Sequence, residues 1–275
     1  MSNLVQRLIT GFLGAAFMFT AIWFNYYSCA ALFFIGTVFS GIEYHQLLKK
    51  SGIETNALAG IIGNAVIYLL FALNAYEQII PTSILLGAIA VLFMTYMLIE
   101  LFSTNEQPLT RIAYTFFGIM YVAVPFGMIT LIPWDTTSST PVYKFEIIYS
   151  ILFLIWANDI GAYFAGRFLG KHKLFERISP KKTWEGSIGG LLTAILFTYL
   201  SYSAFGLFSV SKWMGLCVVT VISGSLGDLV ESMIKRTLNV KDSGTLLPGH
   251  GGFLDRFDAL IFAVPFIYLY LSLTA

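Results

Sequence analysis

The densest run of polar side chains reads Ser232-Met-Ile-Lys235-Arg236-Thr-Leu-Asn-Val-Lys241-Asp242-Ser-Gly-Thr-Leu-Leu-Pro248-Gly249-His250-Gly251-Gly252-Phe-Leu-Asp255-Arg256-Phe-Asp258. Its glycines and proline let backbone N–H groups come close to an anion. Lys235, Arg236, Lys241 and Arg256 add positive charge, and a guanidinium grips phosphate with two donors. Asp242, Asp255 and Asp258 offer the hard oxygen ligands that Mg²⁺ takes. Anion cradle, cations and metal-binding carboxylates together suit phosphoryl or nucleotidyl transfer. His250, between two glycines, either touches a phosphate or satisfies a tight turn, and the two readings weigh equally.

Just upstream, Asp228 follows the small residues Ser223, Gly224, Ser225 and Gly227, which let a second backbone or a ligand come close. On one helix, Asp228 shares a face with Ser232 and Lys235, and Glu231 lies four residues before Lys235. Asp159 follows Asn158 within an otherwise apolar stretch, Trp156-Ala-Asn-Asp-Ile-Gly-Ala-Tyr163. A carboxylate at membrane depth is costly, so it is paired, hydrated or metal-bound. A structural interhelical hydrogen bond competes with a functional role at both acids. A second basic loop carries Arg167, Lys171, Lys173 and Arg177, then Ser179-Pro-Lys181-Lys182-Thr183-Trp-Glu185-Gly186-Ser187. A lone basic cluster usually does no more than set topology. Here the hydroxyls and Gly186 allow an anion site just before the next helix.

These residues have to be held by membrane helices. Of the 275 residues, 57% are apolar and 11% charged, against about 45–50% and 25% in a soluble domain. The mean hydropathy is +0.78. An ordinary soluble enzyme and a disordered chain are excluded. The net charge of +1 lacks the basic excess that a nucleic-acid partner needs. Cys29 and Cys217 lie in apolar runs and read as small buried hydrophobes. Nine apolar segments, at 8–24, 27–46, 57–75, 80–101, 110–133, 147–168, 188–208, 213–230 and 257–273, are each near the length of about 20 residues that crosses a bilayer. None alternates as a barrel strand does. The first has no small-residue cleavage site before the next span and is read as a retained helix. The fold expected is an all-α polytopic membrane protein of about nine spans with no soluble domain. It is one integral-membrane domain, with N-terminal helices over 1–145 and a catalytic half over 146–275.

Placing the N-terminus in the cytoplasm puts fourteen Lys and Arg on that side and only Lys144 and Lys212 on the other, a strong positive-inside bias. Ten of the sixteen basic residues lie in two cytoplasmic loops, 167–187 and 231–256. No internal repeat of the kind many transporters carry is visible. Gly-x-Gly-x-x-Gly is absent, and the nearest approach to a P-loop, from Gly161, has Arg167 and Phe168 where Lys and Ser/Thr belong. His45, His172 and His250 are too widely spaced for a His-x-x-x-His zinc site.

The run from Ser232 to Asp258 resembles the signature of phosphatidate cytidylyltransferases (CDP-diacylglycerol synthases). That pattern is Ser-x-apolar-Lys-Arg, four residues, Lys-Asp-x-small, two residues, apolar-Pro-x-His-Gly-Gly-apolar-x-Asp-Arg-apolar-Asp. It is met at Ser232, Lys235, Arg236, Lys241, Asp242, Gly244, Leu247, Pro248, His250, Gly251, Gly252, Asp255, Arg256 and Asp258. Ser179-Pro-Lys-Lys-Thr-Trp-Glu-Gly186 and Asn158-Asp-Ile-Gly-Ala-Tyr163 also look like family segments, with Ile160 where the family more often has Thr. The resemblance covers about 155–260.

The resemblance implies the reaction CTP + phosphatidate → CDP-diacylglycerol + pyrophosphate, supported by Mg²⁺ and with room for a second metal ion. It implies Asp228 and Asp255 as metal ligands, with Asp242 and Asp258 for a second metal or for orienting basic residues. Lys181, Lys182, Lys235, Arg236, Lys241 and Arg256 are expected at phosphates. Ser179, Thr183, Asn158, Asp159, Ser232, His250, Gly251 and Gly252 are expected around the substrates. The expected partners are CTP, phosphatidate and membrane lipid, with no nucleic acid; the family raises a homodimer, which small-residue helix faces permit. A cytoplasmic-membrane location follows, because CTP is a cytoplasmic metabolite. The rival readings are a CTP-dependent polyprenol or phytol kinase, which would release CDP, and an ion-coupled transporter using Asp159 and Asp228. A purely structural scaffold leaves the glycine-rich charged loop unexplained.

Overall fold

The computed structural model describes residues 3–77, 81–135, 141–244, 246 and 251–274. Nine helices occur among them: α1 (Asn3–Phe24), α2 (Tyr26–Lys50), α3 (Ala57–Glu77), α4 (Thr82–Leu101), α5 (Pro108–Ile129), α6 (Phe145–Leu169), α7 (Trp184–Phe205), α8 (Val210–Thr237) and α9 (Leu254–Leu273). Eight are long and apolar enough to cross a membrane; in α1 the apolar stretch is the shorter Thr10–Phe24. Two small antiparallel hairpins complete the described structure, β1 (Trp134–Asp135) with β2 (Val142–Tyr143) and β3 (Lys173–Phe175) with β4 (Ser179–Thr183). Each of the nine expected spans coincides with one helix. The chain is thus an all-α, multi-pass membrane protein.

The helices end where the sequence dictates. Asn25, alone between α1 and α2, accepts from the Ser28 amide at 2.9 Å, and the Ser28 hydroxyl accepts from the Asn25 amide at 3.2 Å. This reciprocal capping box satisfies two of the amides that a helix start leaves without partners. Thr183 caps α7 through Gly186 N–H at 3.1 Å. Gly206 closes α7 in the left-handed region, φ 59°, where a Cβ would be strained. Past the end of α8, Asn239 takes φ 55°, a conformation Asn tolerates better than most residues.

The chain forms two compact units, residues 1–143 with 238–256 and residues 144–237 with 257–275. In the first, α2 packs on α3 and α5, and α3, α4 and α5 pack around Ile67, Phe71, Ile119 and Ala123. Glycines receive large side chains there, Tyr44 against Gly118 and Phe71 against Gly127. Glu100, almost fully buried on α4, pairs with Arg111 of α5 at 3.3 Å and accepts from Tyr96 Oη at 3.2 Å. A buried acid in lipid surroundings needs such partners.

The second unit is built on the close approach of α6 and α7. Gly186, Gly189 and Gly190 of α7 face Asn158, Gly161, Ala162 and Ala165 of α6, and a Cβ at Gly189 would lie 2.2 Å from Ala165 Cβ. Small residues three and four apart make one helix face that lets backbones meet. Gly189→Leu is therefore expected to destabilise this unit by about 1–3 kcal/mol or more. The readout is a lowered melting temperature in detergent, and an unchanged melting temperature would contradict this packing account.

Candidate active site

In the second unit the functional side chains converge around the C-terminal end of α8. Gly227 of α8 lies against α9, where a Cβ would come 2.8 Å from the Asp258 carbonyl oxygen and 2.6 Å from Phe262 Cβ. That approach brings Asp228 beside Asp258. Lys182 of β4 makes a 2.6 Å ion pair with Asp228 Oδ2, and its ammonium lies 3.5 Å from the Ser225 carbonyl oxygen. Ser232 donates to Asp228 Oδ1 at 3.3 Å. Asp159 of α6 faces the charges of Asp228 and Lys182. Asp258 feels Asp228, Lys235 and Asp159. Lys235 is held by the buried Glu231, one turn back, at 2.5 Å. Asn158 donates to Ser225 Oγ at 3.3 Å, while its buried Oδ1 has no hydrogen-bond partner among the described residues.

Three carboxylates and two ammonium groups thus share one region of this unit. Coulomb attraction between the signs offsets the repulsion among the acids. Among the described residues, no three His, Cys, Asp or Glu side chains converge into a ready-made metal cage. The donor set is nonetheless hard and anionic, the chemistry of Mg²⁺, which keeps several waters and shares substrate phosphate oxygens.

The β3–β4 hairpin explains how Lys182 gets there. Successive strand residues point to opposite sides, so Lys181 is exposed while Lys182 is half-buried at Asp228. The sequence treats the two lysines alike, and strand geometry separates them. Ser179 begins the same strand and is half-buried. Glu185, in the first turn of α7, secures the turn before the hairpin. It accepts from the amides of Lys171 at 3.1 Å and His172 at 3.2 Å, and pairs with His172 Nδ1 at 2.6 Å.

The signature loop belongs to the first unit. Asp255 accepts from the Ser243 amide at 3.0 Å and the Gly252 amide at 3.1 Å, closing the loop on itself. Gly251 adopts φ 83°, in the region that favours glycine. A Cβ at Gly252 would fall 1.9 Å from Ser243 Oγ and 2.8 Å from the Gly244 nitrogen. The two consecutive glycines therefore have separate causes, backbone conformation at 251 and lack of space at 252. Lys241, Asp242 and Arg256, the last in the first turn of α9, are exposed in this unit. Arg236, at the end of α8 in the second unit, is exposed as well. His250, Leu247 and Pro248 of the signature lie outside the described residues.

One residue of this region escaped the reading of the sequence. Glu43 of α2 is fully buried. Its Oε2 accepts from the Leu254 amide at 2.8 Å and from Ser243 Oγ at 3.3 Å. The signal was present, a carboxylate inside an apolar span, but it lay some 200 positions from the loop it meets.

Comparison with known proteins agrees with this chemistry. The model of the Cytidylyltransferase family matches residues 5–274. A phosphatidate cytidylyltransferase of Bacillus subtilis (strain 168) is 32% identical over 282 residues, covering 99% of each chain. A protein of the same name from Staphylococcus aureus (strain COL) is 35% identical over 245 residues, 87% of this chain and 89% of its own. One from Staphylococcus epidermidis (strain ATCC 12228 / FDA PCI 1200) is 36% identical over 235 residues, 85% of this chain and 86% of its own. With a match that runs through all nine helices and both hairpins, the chain belongs to the Cytidylyltransferase family.

Proposed function

We propose that this membrane protein catalyses CTP + phosphatidate → CDP-diacylglycerol + pyrophosphate, the reaction of a nucleotidyltransferase of phospholipid synthesis. A phosphate oxygen of phosphatidate attacks the α-phosphorus of CTP. A new P–O bond forms, the bond from the α-phosphorus to the α,β-bridging oxygen breaks, and pyrophosphate leaves with the electron pair. The attacking phosphomonoester has a second pKa near 6 and is already an anion at neutral pH. No general base is needed, and the obstacle is charge repulsion between a dianion and a triphosphate. The observation that carries the reading is the cluster of Asp228, Asp159 and Asp258 with Lys182 and Lys235 in a chain of this family. Mg²⁺ bound there would neutralise phosphate charge. Asp228 is its first proposed ligand, with Asp258 beside it in the same unit; Asp255 and Asp242 remain candidate ligands through the resemblance to the family signature. Lys182 and Lys235 would meet phosphate oxygens, and Arg236, Lys241 and Arg256 would add donors. The asymmetry of Lys and Arg supports a cytoplasmic active face.

Pyrophosphate release by purified protein, dependent on CTP, phosphatidate and Mg²⁺ together, tests this reading. Release of CDP instead would favour a kinase, and substrate flux in liposomes without CTP turnover would favour a transporter.

The two lysines of β4 should then separate kinetically. Lys182, paired to Asp228, should meet charge that develops during transfer, so Lys182→Ala is expected to lower kcat by about 10²-fold or more. Lys181, exposed on the other side of the strand, should bind the nucleotide in its ground state. Lys181→Ala should raise KM for CTP by about tenfold with little change in kcat. Steady-state kinetics of both variants check this, and equal effects would mean that the hairpin supplies only diffuse positive potential.

A further inference from the structure

Glu43 sits on α2, far in sequence from every residue assigned above, yet the signature loop is wrapped around it. Its Oε2 accepts from the Leu254 amide at the start of α9 and from the Ser243 hydroxyl. Oε1 is buried with no partner among the described residues, and a Cβ at Gly244 would lie 2.5 Å from it. A Cβ at Gly252 would lie 2.8 Å from Oε2. The carboxylate therefore fills the space that Gly244 and Gly252 leave open, which gives a physical reason for small residues at both positions. Two further attachments run to the same helix. Ser51, its C-cap, donates to the Leu238 carbonyl at 3.0 Å where the loop begins. Phe253 packs on Phe39, with ring centroids 5.9 Å apart, and against Gly36.

We propose that Glu43 is the positioning residue of the signature loop: its buried carboxylate holds Ser243 and Leu254, and through them sets Lys241, Asp242 and Asp255. Ser243 is the pivot, because its hydroxyl goes to Glu43 while its amide goes to Asp255. Asp255 is thus oriented by a backbone whose place α2 determines. The work of Glu43 is to accept hydrogen bonds, which one oxygen can do without a formal charge. Glutamine has an oxygen of the same reach, and alanine has none. The inference rests on the cytidylyltransferase reading for its kinetic arm only.

The test compares Glu43→Ala, Glu43→Gln, Ser243→Ala and the double variant Glu43→Ala with Ser243→Ala, each purified as the full chain. Limited trypsin digestion, with cleavage after Lys241 followed by mass spectrometry, reads loop anchoring without any need for activity. Glu43→Ala should speed that cleavage by about tenfold or more and Glu43→Gln by less than about threefold, since losing buried hydrogen bonds opens local structure by such factors. In pyrophosphate release, Glu43→Ala should raise KM for CTP at least about tenfold, Glu43→Gln should restore it, and the double variant should be no worse than Glu43→Ala alone. Wild-type cleavage in Glu43→Ala, failure of Gln to restore, or additive losses in the double variant would each overturn the proposal. A loss confined to melting temperature and yield, with KM unchanged, would overturn it as well, because that is the mark of a merely structural acid. If the wild-type protein releases no pyrophosphate, the functional reading fails, and the cleavage arm still decides the anchoring.

Discussion

Asp228→Asn is expected to lower pyrophosphate release by about 10³-fold or more, with the folded protein recovered in normal yield. Asparagine keeps the shape and the Ser232 contact but removes the negative charge. Lys182, 2.6 Å away, loses its counter-ion and is no longer held against α8. Any Mg²⁺ shared with the phosphates loses an anionic ligand at the same stroke. Asp159→Asn, in the same field but without a direct pair to Lys182, is expected to cost less, about tenfold to 10²-fold. Kinetics at saturating CTP and varied Mg²⁺ separate the two. Near-normal turnover by Asp228→Asn would show that the acid cluster on α8 is structural.

Gly252→Ala should be nearly as damaging for a different reason. The added methyl group would occupy a point 1.9 Å from Ser243 Oγ, 2.8 Å from Glu43 Oε2 and 2.8 Å from the Gly244 nitrogen. Real Cβ atoms do not approach so closely, and two of these three neighbours belong to groups that hold Asp255 in place. The loop must shift, and activity is expected to fall by about 10²-fold or more, because small misplacements of catalytic groups are costly. The helices need not unfold, so the melting temperature should change far less than the rate. Gly87→Ala is the control, since nothing lies within 4 Å of a Cβ there. Wild-type rates in Gly252→Ala would contradict the tight packing of the loop on α2.

What the sequence made legible depended on the range of the forces involved. Hydrophobic length is a local property, so all nine helices, eight of them long and apolar enough to cross a membrane, were readable from composition alone. The limits of the charged helices were not. The expected eighth span stops at 230, whereas α8 runs to Thr237, because a helix does not end where the hydrocarbon does. Ser232, Lys235 and Arg236 therefore ride on a rigid helix, and the i,i+4 pairs expected there, Asp228 with Ser232 and Glu231 with Lys235, are both formed. The β3–β4 hairpin was invisible, since five residues of Ser-Pro-Lys-Lys-Thr carry no alternating pattern, and with it went the distinction between Lys181 and Lys182. Glu43 was hidden by distance along the chain, as its partners follow only once α2 and the loop have packed. The signature itself was readable because its glycines, acids and cations are contiguous.

The central claim concerns which bond of CTP is broken, and isotope transfer tests that directly. Purified protein is given phosphatidate and Mg²⁺ with CTP labelled at either the α- or the γ-phosphorus, and the lipid is then extracted. Cytidylyl transfer predicts that the α-label moves into the lipid fraction and that the γ-label leaves as pyrophosphate. Appearance of the γ-label in lipid, with the α-label left in CDP, would contradict the account.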